Sequence, residues 1–592
     1  MMKTTYKFIF LISSVIVSLS AVAQTNRSDS AMNRQVLLER EYNPTLQGAS
    51  KVNTTPSIYT PVIKGKEFNF ISTTPQVKVD NSQIGSAQSG DIRTNIDYSK
   101  KRGYLNFAAG THGNLDGAAG VRIVNATNDR LDLFGTYGAT SGTVDFIDGN
   151  KYIYKDAKAK YSALDINLKY QHTFEPSVLT LGGSFYNTSY NYYGNTFLTP
   201  EISAFPYDIT SKQNVDVFSF NAGLKSSDNN QGELKYNATV NYQNFKSKYG
   251  IAPEEKGPKG GQFDLGLEFG AAFDSDKLIG IKASLMNQTY SNKDDFYLGD
   301  TAYHSFSNVT ATPYFKMEGD SWNIDLGLNA SALFDVKNKL HVSPNIKAEA
   351  RIYDVNVLYG EVTGGVNNNT FLDILQENRY VNYMGRVHYS KTLFDAKVGF
   401  KSGVISGFEF DLFAGYKKTD DDHLYIATTS YNALAPTDPS WGNVGTPIYA
   451  DISTGHIGGA LKTTLIPATD LSAKITGFFY DVKNSDFDKA FGRPAFTAQL
   501  NADVRPIDKL TLSLNYLYAG GRKALSHSLV VGEQSIVSMK DINELNLRAE
   551  YQIMDWISVN VRLNNVFSQK YELQYGYPLQ TFNALGGVAF KF

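Results

Sequence analysis

The 592-residue chain contains no cysteine, which excludes disulfide bonds, thiolate metal sites and cysteine nucleophiles. Net charge is nearly absent as well, because 56 Lys and Arg residues stand against 58 Asp and Glu residues. With no concentrated basic stripe, no nucleic-acid partner is expected. Beyond the first residues, no apolar run approaches the ~20 residues that a membrane-spanning helix needs. The chain is therefore not expected to be a disulfide scaffold or a helical membrane protein.

Sequence motifs of enzymes are equally scarce. The eight His residues are scattered, without the HExxH spacing of a zinc site. The G-x-S-x-G turn that presents a nucleophilic serine is absent too. We therefore expect no enzymatic activity and no cofactor.

The N-terminus predicts a secretory signal peptide over residues 1–23. Lys3 and Lys7 supply the positive region, residues 8–20 the apolar core, and the sequence Ala21-Val22-Ala23 a small-residue cleavage site. The apolar core is too short for a comfortable membrane span, so cleavage before Gln24 is expected. The mature protein is thus predicted to leave the cytoplasm.

Residues 24–101 form a Pro-rich extension. Prolines at this density exclude long helices and central strands. The segment is either a linker, or a part of the chain that enters a barrel or contacts a periplasmic partner. Docking is favoured by several apolar side chains: Val62, Ile63, Phe68 and Phe70.

Residues 102–592 read as successive amphipathic strands. Aromatic residues make up 13% of the chain, mostly Tyr and Phe, against 19% charged residues, which suits strands and interfacial belts. Apolar and polar residues alternate with a period of two, which places one face in an apolar medium and the other in water. Clear examples run through Leu164, Ile166, Leu168 and Tyr170; Leu510, Leu512, Leu514 and Tyr516; and Ile557, Val559, Val561 and Leu563. A soluble β-propeller would show repeated blade motifs, and none occurs.

Short polar turns alternate with mostly longer Gly-, Asn- and Tyr-rich connections. About ten turns predict a transmembrane antiparallel barrel of about 22 strands, with a range of 16–22, in the outer membrane of a Gram-negative cell. An even strand number leaves both termini in the periplasm. Trp322 and Trp556 each follow a short turn, where an aromatic belt at the membrane interface is expected.

The end of the chain resembles the barrel of TonB-dependent receptors, in a style similar to Bacteroidetes outer-membrane proteins. The resemblance lies in residues 563–572 (LNNVFSQKYE), in Tyr575-Gly576-Tyr577-Pro578, and in a last strand that closes on Phe590 and Phe592. It implies an outer-membrane barrel of the receptor type. Residues 579–581 (LQT) depart from the "P-G-R" that often follows in the family.

The other end of the chain departs further from this family. Its receptors carry a plug domain longer than the whole 24–101 segment, preceded by an energy-coupling box, and neither pattern is recognisable here. A 22-stranded barrel encloses a wide lumen that outer-membrane transporters normally plug. We therefore expect the 24–101 segment, the long loops or a partner chain to occupy the lumen.

Few residues suggest a specific site. Asp420, Asp421 and Asp422, followed by His423, form the densest acidic cluster and a candidate Ca²⁺ site, although such runs are usually solvated loop tips. Tyr190, Tyr192 and Tyr193 could grip a sugar or a partner, although loop tyrosines are common in barrels.

Two functions remain open. The first is a membrane-embedded subunit of an outer-membrane complex, without TonB-driven transport of its own. The alternative is a transport-type receptor or porin that takes up a nutrient ligand, its lumen gated by the N-terminal segment or a separate plug chain. Expected partners are outer-membrane lipid and an outer-membrane or periplasmic protein.

Overall fold

The structure, a computed structural model, describes residues 101–145, 157–193, 212–227, 234–248, 256–274, 276–291, 304–334, 339–352, 355–381, 388–405, 407–429, 443–527 and 534–592. The predicted signal peptide and all but the last residue of the Pro-rich extension lie outside these ranges and stay predictions. No helix within them has both the length and the apolar character to cross a membrane.

Strands dominate the described residues. They are β1 Gly103–Gly110, β2 Leu115–Asn125, β3 Asp129–Thr140, β4 Thr143–Val144, β5 Ala157–Lys158, β6 Tyr161–Thr173, β7 Ser177–Tyr190, β8 Gln213–Ser226, β9 Leu234–Ser247, β10 Lys259–Asp274, β11 Lys277–Tyr290, β12 Phe306–Glu318, β13 Trp322–Phe334, β14 Lys339–Ile352, β15 Asn356–Asn367, β16 Ser390–Ile405, β17 Phe408–Thr429, β18 Asn443–Thr463, β19 Thr469–Lys483, β20 Phe496–Ile507, β21 Leu510–Gly520, β22 Lys523–His527, β23 Gln534–Ser538, β24 Ile542–Met554, β25 Ile557–Asn564, β26 Glu572–Gln574, β27 Tyr577–Pro578 and β28 Asn583–Lys591. One α-helix, α1, spans Phe371–Glu377 in these ranges, and a short 3₁₀ turn spans Thr111–Gly113.

Twenty-two of these strands form one closed antiparallel barrel. Closure comes from the pairing of the first strand with the last, β1 with β28, in which Phe107 lies opposite Val588. The six remaining strands pair as β4–β5, β22–β23 and β26–β27 within the connections. The prediction of an all-β outer-membrane barrel with about 22 strands is confirmed.

The two faces of the wall differ as the alternation predicts. On the outer face, large apolar side chains are exposed on neighbouring strands: Leu358, Val398, Leu412, Ile457 and Ile475. The inner face carries amides and charges. Asn515 donates to Asn501 at 2.6 Å and Asn546 to Asn515 at 3.3 Å, a side-chain ladder across β20, β21 and β24. An apolar exterior and a hydrogen-bonded polar interior suit a barrel whose outer surface meets lipid.

The connections distinguish the two ends of the barrel. Ten short connections, such as Asn125 to Asp129 and Ile507 to Leu510, lie at one end, which we call the short-turn end. The other, the long-loop end, has most of the long connections, although β1–β2 and β13–β14 are joined by few residues. The backbone N–H of Arg102 donates to Phe592 O at 2.6 Å. The first strand, β1, therefore begins at the short-turn end, and the last strand, β28, ends there.

The lipid face gives a first prediction. Val398 is 61% exposed in the middle of β16. Val398→Arg should lower the free energy of unfolding in lipid vesicles by about 2–4 kcal/mol, because the charge would lie near the bilayer midplane. Denaturant titration measures this change.

Gln499→Arg on the inner face of β20 is the matched control and should change stability by less than about 1 kcal/mol. Equal losses in the two variants would contradict the assignment of inner and outer faces.

Candidate functional site: a cap across the long-loop end

The connection between β15 and β16 contains α1. Thr370 and Asp373 form a reciprocal capping box, in which Thr370 Oγ1 accepts from the Asp373 N–H at 3.3 Å and Asp373 accepts from the Thr370 N–H at 3.0 Å. This satisfies backbone donors that the first turn of a helix leaves free. Phe371, Ile374 and Leu375 form the buried face of the helix. We call residues 368–381 the cap.

The cap packs against the far wall of the barrel. β15 and β16 are the thirteenth and fourteenth wall strands counted from β1, whereas β6 and β7 are the fourth and fifth. The cap nevertheless belongs to one buried cluster with inner-face residues of β6–β9 and β11: Tyr161, Tyr190, Val215, Val217, Phe245 and Tyr290. Along the 22-strand wall these strands lie from four (β11) to nine (β6) strands away from β15, so the cap reaches across part of the lumen.

Direct contacts fix α1 on that wall. The ring of Phe371 stacks on Phe245 with centroids 4.6 Å apart and planes inclined by 17°. The Phe371 N–H donates to Oε1 of Gln288, a fully buried side chain on β11, at 3.4 Å. The start of the helix is therefore held by both apolar packing and a hydrogen bond.

Tyrosines from three separate connections meet at the other end of the cap. Tyr380 stacks on Tyr577 at 3.7 Å, and Tyr193 meets Tyr577 edge-on at 5.2 Å. The Tyr193 hydroxyl donates to Pro578 O at 2.9 Å. Burial raises the pKa of Tyr193, Tyr380 and Tyr577, which keeps these hydroxyls protonated.

A buried arginine joins this aromatic cluster. Arg379 is 5% exposed, and its guanidinium carbon lies 4.1 Å from the ring centre of Tyr161 and 5.9 Å from those of Tyr190 and Tyr380. A guanidinium over an aromatic face is attracted by the ring quadrupole, most strongly away from water. Arg379 thereby ties the cap electrostatically to the far wall.

The near side of the cap is held by an ion pair. His423 Nε2 on β17 lies 2.7 Å from Glu377, and the Gly445 N–H on β18 donates to Tyr380 O at 2.8 Å. The neighbouring Asp422 is bound by Arg493 at 2.7 Å. Burial lowers the pKa of His423, but the adjacent Glu377 carboxylate outweighs it, so the pKa lies above its usual value.

The three predicted calcium ligands make separate contacts in the structure. Asp422 binds Arg493, and Asp421 is exposed and lies 3.9 Å from Lys391. Asp420 and Asp421 lie in the bulge of the β17–β18 pairing between Thr419 and Asp422. Asp420 lies opposite Lys391 in the β16–β17 ladder. Within the described residues, no group of three or more His, Asp or Glu side chains is arranged to hold a metal. The candidate Ca²⁺ site therefore gains no support from the geometry.

The terminal and belt residues lie where a membrane interface is expected. Trp322 begins β13 and Trp556 precedes β25, both at the short-turn end and both exposed. Trp556 stacks on Phe590 at 6.1 Å, and Phe592 is exposed beside the closing strand. Their membrane-interface role stays a prediction.

Sequence reasoning missed the cap. It named Tyr190, Tyr192 and Tyr193 as residues that could grip a ligand, but the structure buries them in the barrel's own cluster. The signal for α1 was present: a Thr370-x-x-Asp373 capping pair with apolar residues at 371, 374 and 375. Nothing local, however, indicates that this helix folds into the lumen.

No protein-family profile matches the chain, and no curated protein sequence matches it. Solved structures do. The siderophore receptor PirA from Acinetobacter baumannii aligns over 83% of this chain and 80% of its own, with a TM-score of 0.61 and 13% identity. The FrpB iron transporter from Neisseria meningitidis aligns over 83% of this chain and 81% of its own, with a TM-score of 0.61 and 12% identity. The ferripyoverdine receptor of Pseudomonas aeruginosa aligns over 83% of this chain and 72% of its own, with a TM-score of 0.59 and 14% identity.

At 12–14% identity these likenesses establish the fold. The chain has the barrel fold of TonB-dependent receptors, as the resemblance of its last strands implied. It is an outer-membrane barrel of the Gram-negative type.

The ion pair of the cap predicts a pH dependence. Because the pKa of His423 is raised in the folded cap, the pair contributes fully below the ordinary His pKa of about 6.5 and is lost as the pH rises through the raised value. With Ile374→Cys as a reporter in this cysteine-free chain, His423→Gln should make the thiol react roughly tenfold faster near pH 6, which corresponds to about 1.4 kcal/mol. The difference should shrink towards pH 9.

Comparing the two proteins at each pH cancels the ionisation of the thiol itself. Glu377→Gln is the matched variant and should behave as His423→Gln does. Arg493 holds the pKa of Asp422 low against its burial, so Asp422 does not titrate in this range. If the variant and the parent differ in thiol reaction rate by the same factor at every pH, the role of the ion pair is contradicted.

Proposed function

We propose that the protein is an outer-membrane receptor of the transport type, in which a ligand passes through the lumen when the cap is displaced. The observation that carries this proposal is the cap itself. At one end of a lumen lined by amides and charges, a helix of seven residues on a loop of the same chain packs against the far wall. A short element held by side-chain contacts can be released without breaking the wall.

The structural relatives support this class of function. They are described as a siderophore receptor, iron transporters and a copper transporter. They favour the transport alternative over the complex subunit that the sequence favoured. Their low identity transfers no ligand to this chain, so the solute is left undefined.

We place the short-turn end in the periplasm, as in bacterial barrels with short periplasmic turns. Both ends of the barrel sequence, Gly103 and Phe592, then face the periplasm. The cap faces the outside, where a ligand arrives first. A periplasmic partner for residues 24–101, which precede β1 in the sequence, is part of this proposal.

A second candidate function is the non-transporting subunit of an outer-membrane complex. It is favoured by the absence of recognisable plug and coupling patterns in residues 24–101. In that case the cap would be a permanent closure and the barrel a membrane-embedded scaffold.

Gentle detergent extraction from the native outer membrane distinguishes the two functions. A monodisperse barrel that, after reconstitution, accumulates a solute from its native medium supports the receptor. A stoichiometric partner chain without solute uptake would instead establish the scaffold function and overturn our proposal.

The cap also gives a conductance prediction. The purified protein should stay closed in a planar lipid bilayer. Phe245→Ala with Phe371→Ala removes a buried aromatic stack, at a cost of roughly 3–5 kcal/mol for each ring, and should produce ion-conducting openings. Single-channel recording measures their frequency.

A double-cysteine variant that can be cross-linked tests displacement of the cap within a single protein. With Phe245→Cys and Phe371→Cys, a short bis-methanethiosulfonate, which links the two thiols through disulfides, should abolish the openings, and a thiol reductant that cleaves those disulfides should restore them. Phe185 and Phe218 form an aromatic pair of the same 4.6 Å spacing on the outer face. Phe218→Ala is therefore the control and should remain closed; openings there, or none after loss of the inner stack, would contradict the gate.

A further inference from the structure

The seam at which the barrel closes joins β25, β28, β1 and β2, in that order. Val561 is exposed on the lipid face of β25, so the next residue, Arg562, lies on the inner face. The Arg562 side chain reaches over β28 and β1, and its Nη1 donates to Asp116 on β2. Gly587 and Ala108, which lie in register with Asp116, are small enough for the side chain to pass over. One edge of this guanidinium is thereby bound across the seam.

The other edge of the guanidinium is buried without an acceptor. Its Nε and Nη2 carry N–H bonds that point the same way, and neither nitrogen has a hydrogen-bond partner in the described part of the chain. Nδ2 of Asn560, two residues earlier on β25, is in the same state, and so is Nδ2 of Asn583 on β28. Arg562 is 8% exposed, Asn560 3% and Asn583 0%. Four buried donor nitrogens of three side chains are therefore unmet by the described residues.

These unmet donors lie side by side in the wall. Asn560 and Arg562 follow each other on the inner face of β25, because alternate residues of a strand point the same way. Arg562 lies opposite Leu585, so Asn583 is its diagonal neighbour on β28. Diagonal neighbours are about 7–8 Å apart, within reach of long side chains. Native proteins bond the great majority of their buried polar groups, so this cluster indicates an acceptor that the described residues do not supply.

A neighbouring arginine shows what such an acceptor is. Arg548 on β24 lies opposite Arg562, and its Nη2 donates to the Glu550 carboxylate at 2.5 Å. Two parallel N–H bonds of a guanidinium match the two oxygens of a carboxylate, which makes this pairing both strong and specific. Glu550 also accepts from Ser558 at 2.8 Å, so this carboxylate is already engaged. The edge of Arg562 that suits a carboxylate has none among the residues that the structure describes.

The charges beside the seam favour a singly charged ligand. The two guanidiniums of Arg548 and Arg562 are matched by the carboxylates of Asp116 and Glu550. Recognition therefore depends on the direction of the donors and not on a surplus of positive charge. A carboxylate adds one negative charge beside Asp116, whereas a phosphate monoester adds up to two, so the carboxylate fits better.

The connection between β25 and β28, residues 565–582, passes over the same seam. Asn114 donates to Gln580 at 3.0 Å, and Gln580 donates to Thr140 at 2.6 Å, which ties the connection to β2 and β3. Tyr577 of this connection stacks on Tyr380 of the cap. The unmet donors thus lie in the wall between the connection and the short-turn end.

We propose that Arg562, Asn560 and Asn583 form a luminal binding site for the carboxylate group of a small solute. The Nε and Nη2 edge of Arg562 donates to the two carboxylate oxygens, and the two amides donate to the lone pairs that remain. The binding itself needs no transport, whereas a part for this site in uptake rests on the proposed function.

The Nε–H resonance of Arg562 reports occupancy of the site directly. The full chain, labelled with ¹⁵N-arginine and purified in detergent, is titrated with sodium acetate while the arginine Nε–H cross-peaks are recorded by NMR. The cross-peak that disappears in Arg562→Lys belongs to Arg562. Lysine keeps the positive charge beside Asp116 but has no parallel pair of donors, so this variant should lose acetate binding.

Acetate should move the Arg562 cross-peak along a saturable curve. Acetamide, its neutral isostere, and sodium chloride at equal ionic strength should leave the cross-peak in place. Asn560→Ala removes one donor and should weaken acetate binding about fivefold. Arg548→Lys is the matched control on the next strand and should leave the acetate curve of Arg562 unchanged.

An Arg562 cross-peak that stays in place throughout the acetate titration would overturn the site, since the donors are then met by water or by another part of the chain. An equal shift with chloride or acetamide would overturn it as well. The proposed transport function fails separately: acetate binding without uptake of any solute by the reconstituted barrel would leave the site intact and remove the transport. Uptake without an acetate shift would remove only the site.

Discussion

The pairing of β1 with β28 is the constraint on which the whole structure depends. In lipid no water is present to satisfy backbone N–H and C=O groups, so a sheet can span a bilayer only when it has no free edge. The register that places Phe107 opposite Val588 removes both edges at once. The polar inner wall, the wide lumen and the need to close that lumen all follow from this single closure.

A closed wall of 22 strands solves one problem and creates another. The lumen is too wide to be filled by wall side chains alone, and an open one would breach the permeability barrier. At the long-loop end, the cap packs against the inner wall. It is held by Phe371 on Phe245, by Arg379 over Tyr161, and by Glu377 with His423. The sequence had left open whether long loops, the N-terminal segment or a partner fill the lumen. The cap places one long loop against the inner wall at this end.

Much of the wall could be predicted from the sequence, because strand pairing is encoded locally. The alternation at Leu510, Leu512 and Leu514 and the ten short turns place strands and count them. The cap could not be predicted, because its contacts join distant parts of the chain: Phe371 meets Gln288 and Tyr193 meets Pro578. A helix of seven residues carries little pattern of its own, and a tyrosine in a loop looks the same whether it faces solvent or a neighbouring ring.

The central claim is that the cap lies across the lumen in the resting protein. Spin labels at Gln376→Cys, on the exposed side of α1, and at Asp508→Cys, in a turn at the short-turn end, measure this directly by double electron–electron resonance. The account predicts one narrow distance distribution in lipid, which broadens when Phe245 and Phe371 are replaced by alanine. A broad distribution in the unaltered cap, insensitive to that replacement, would contradict it.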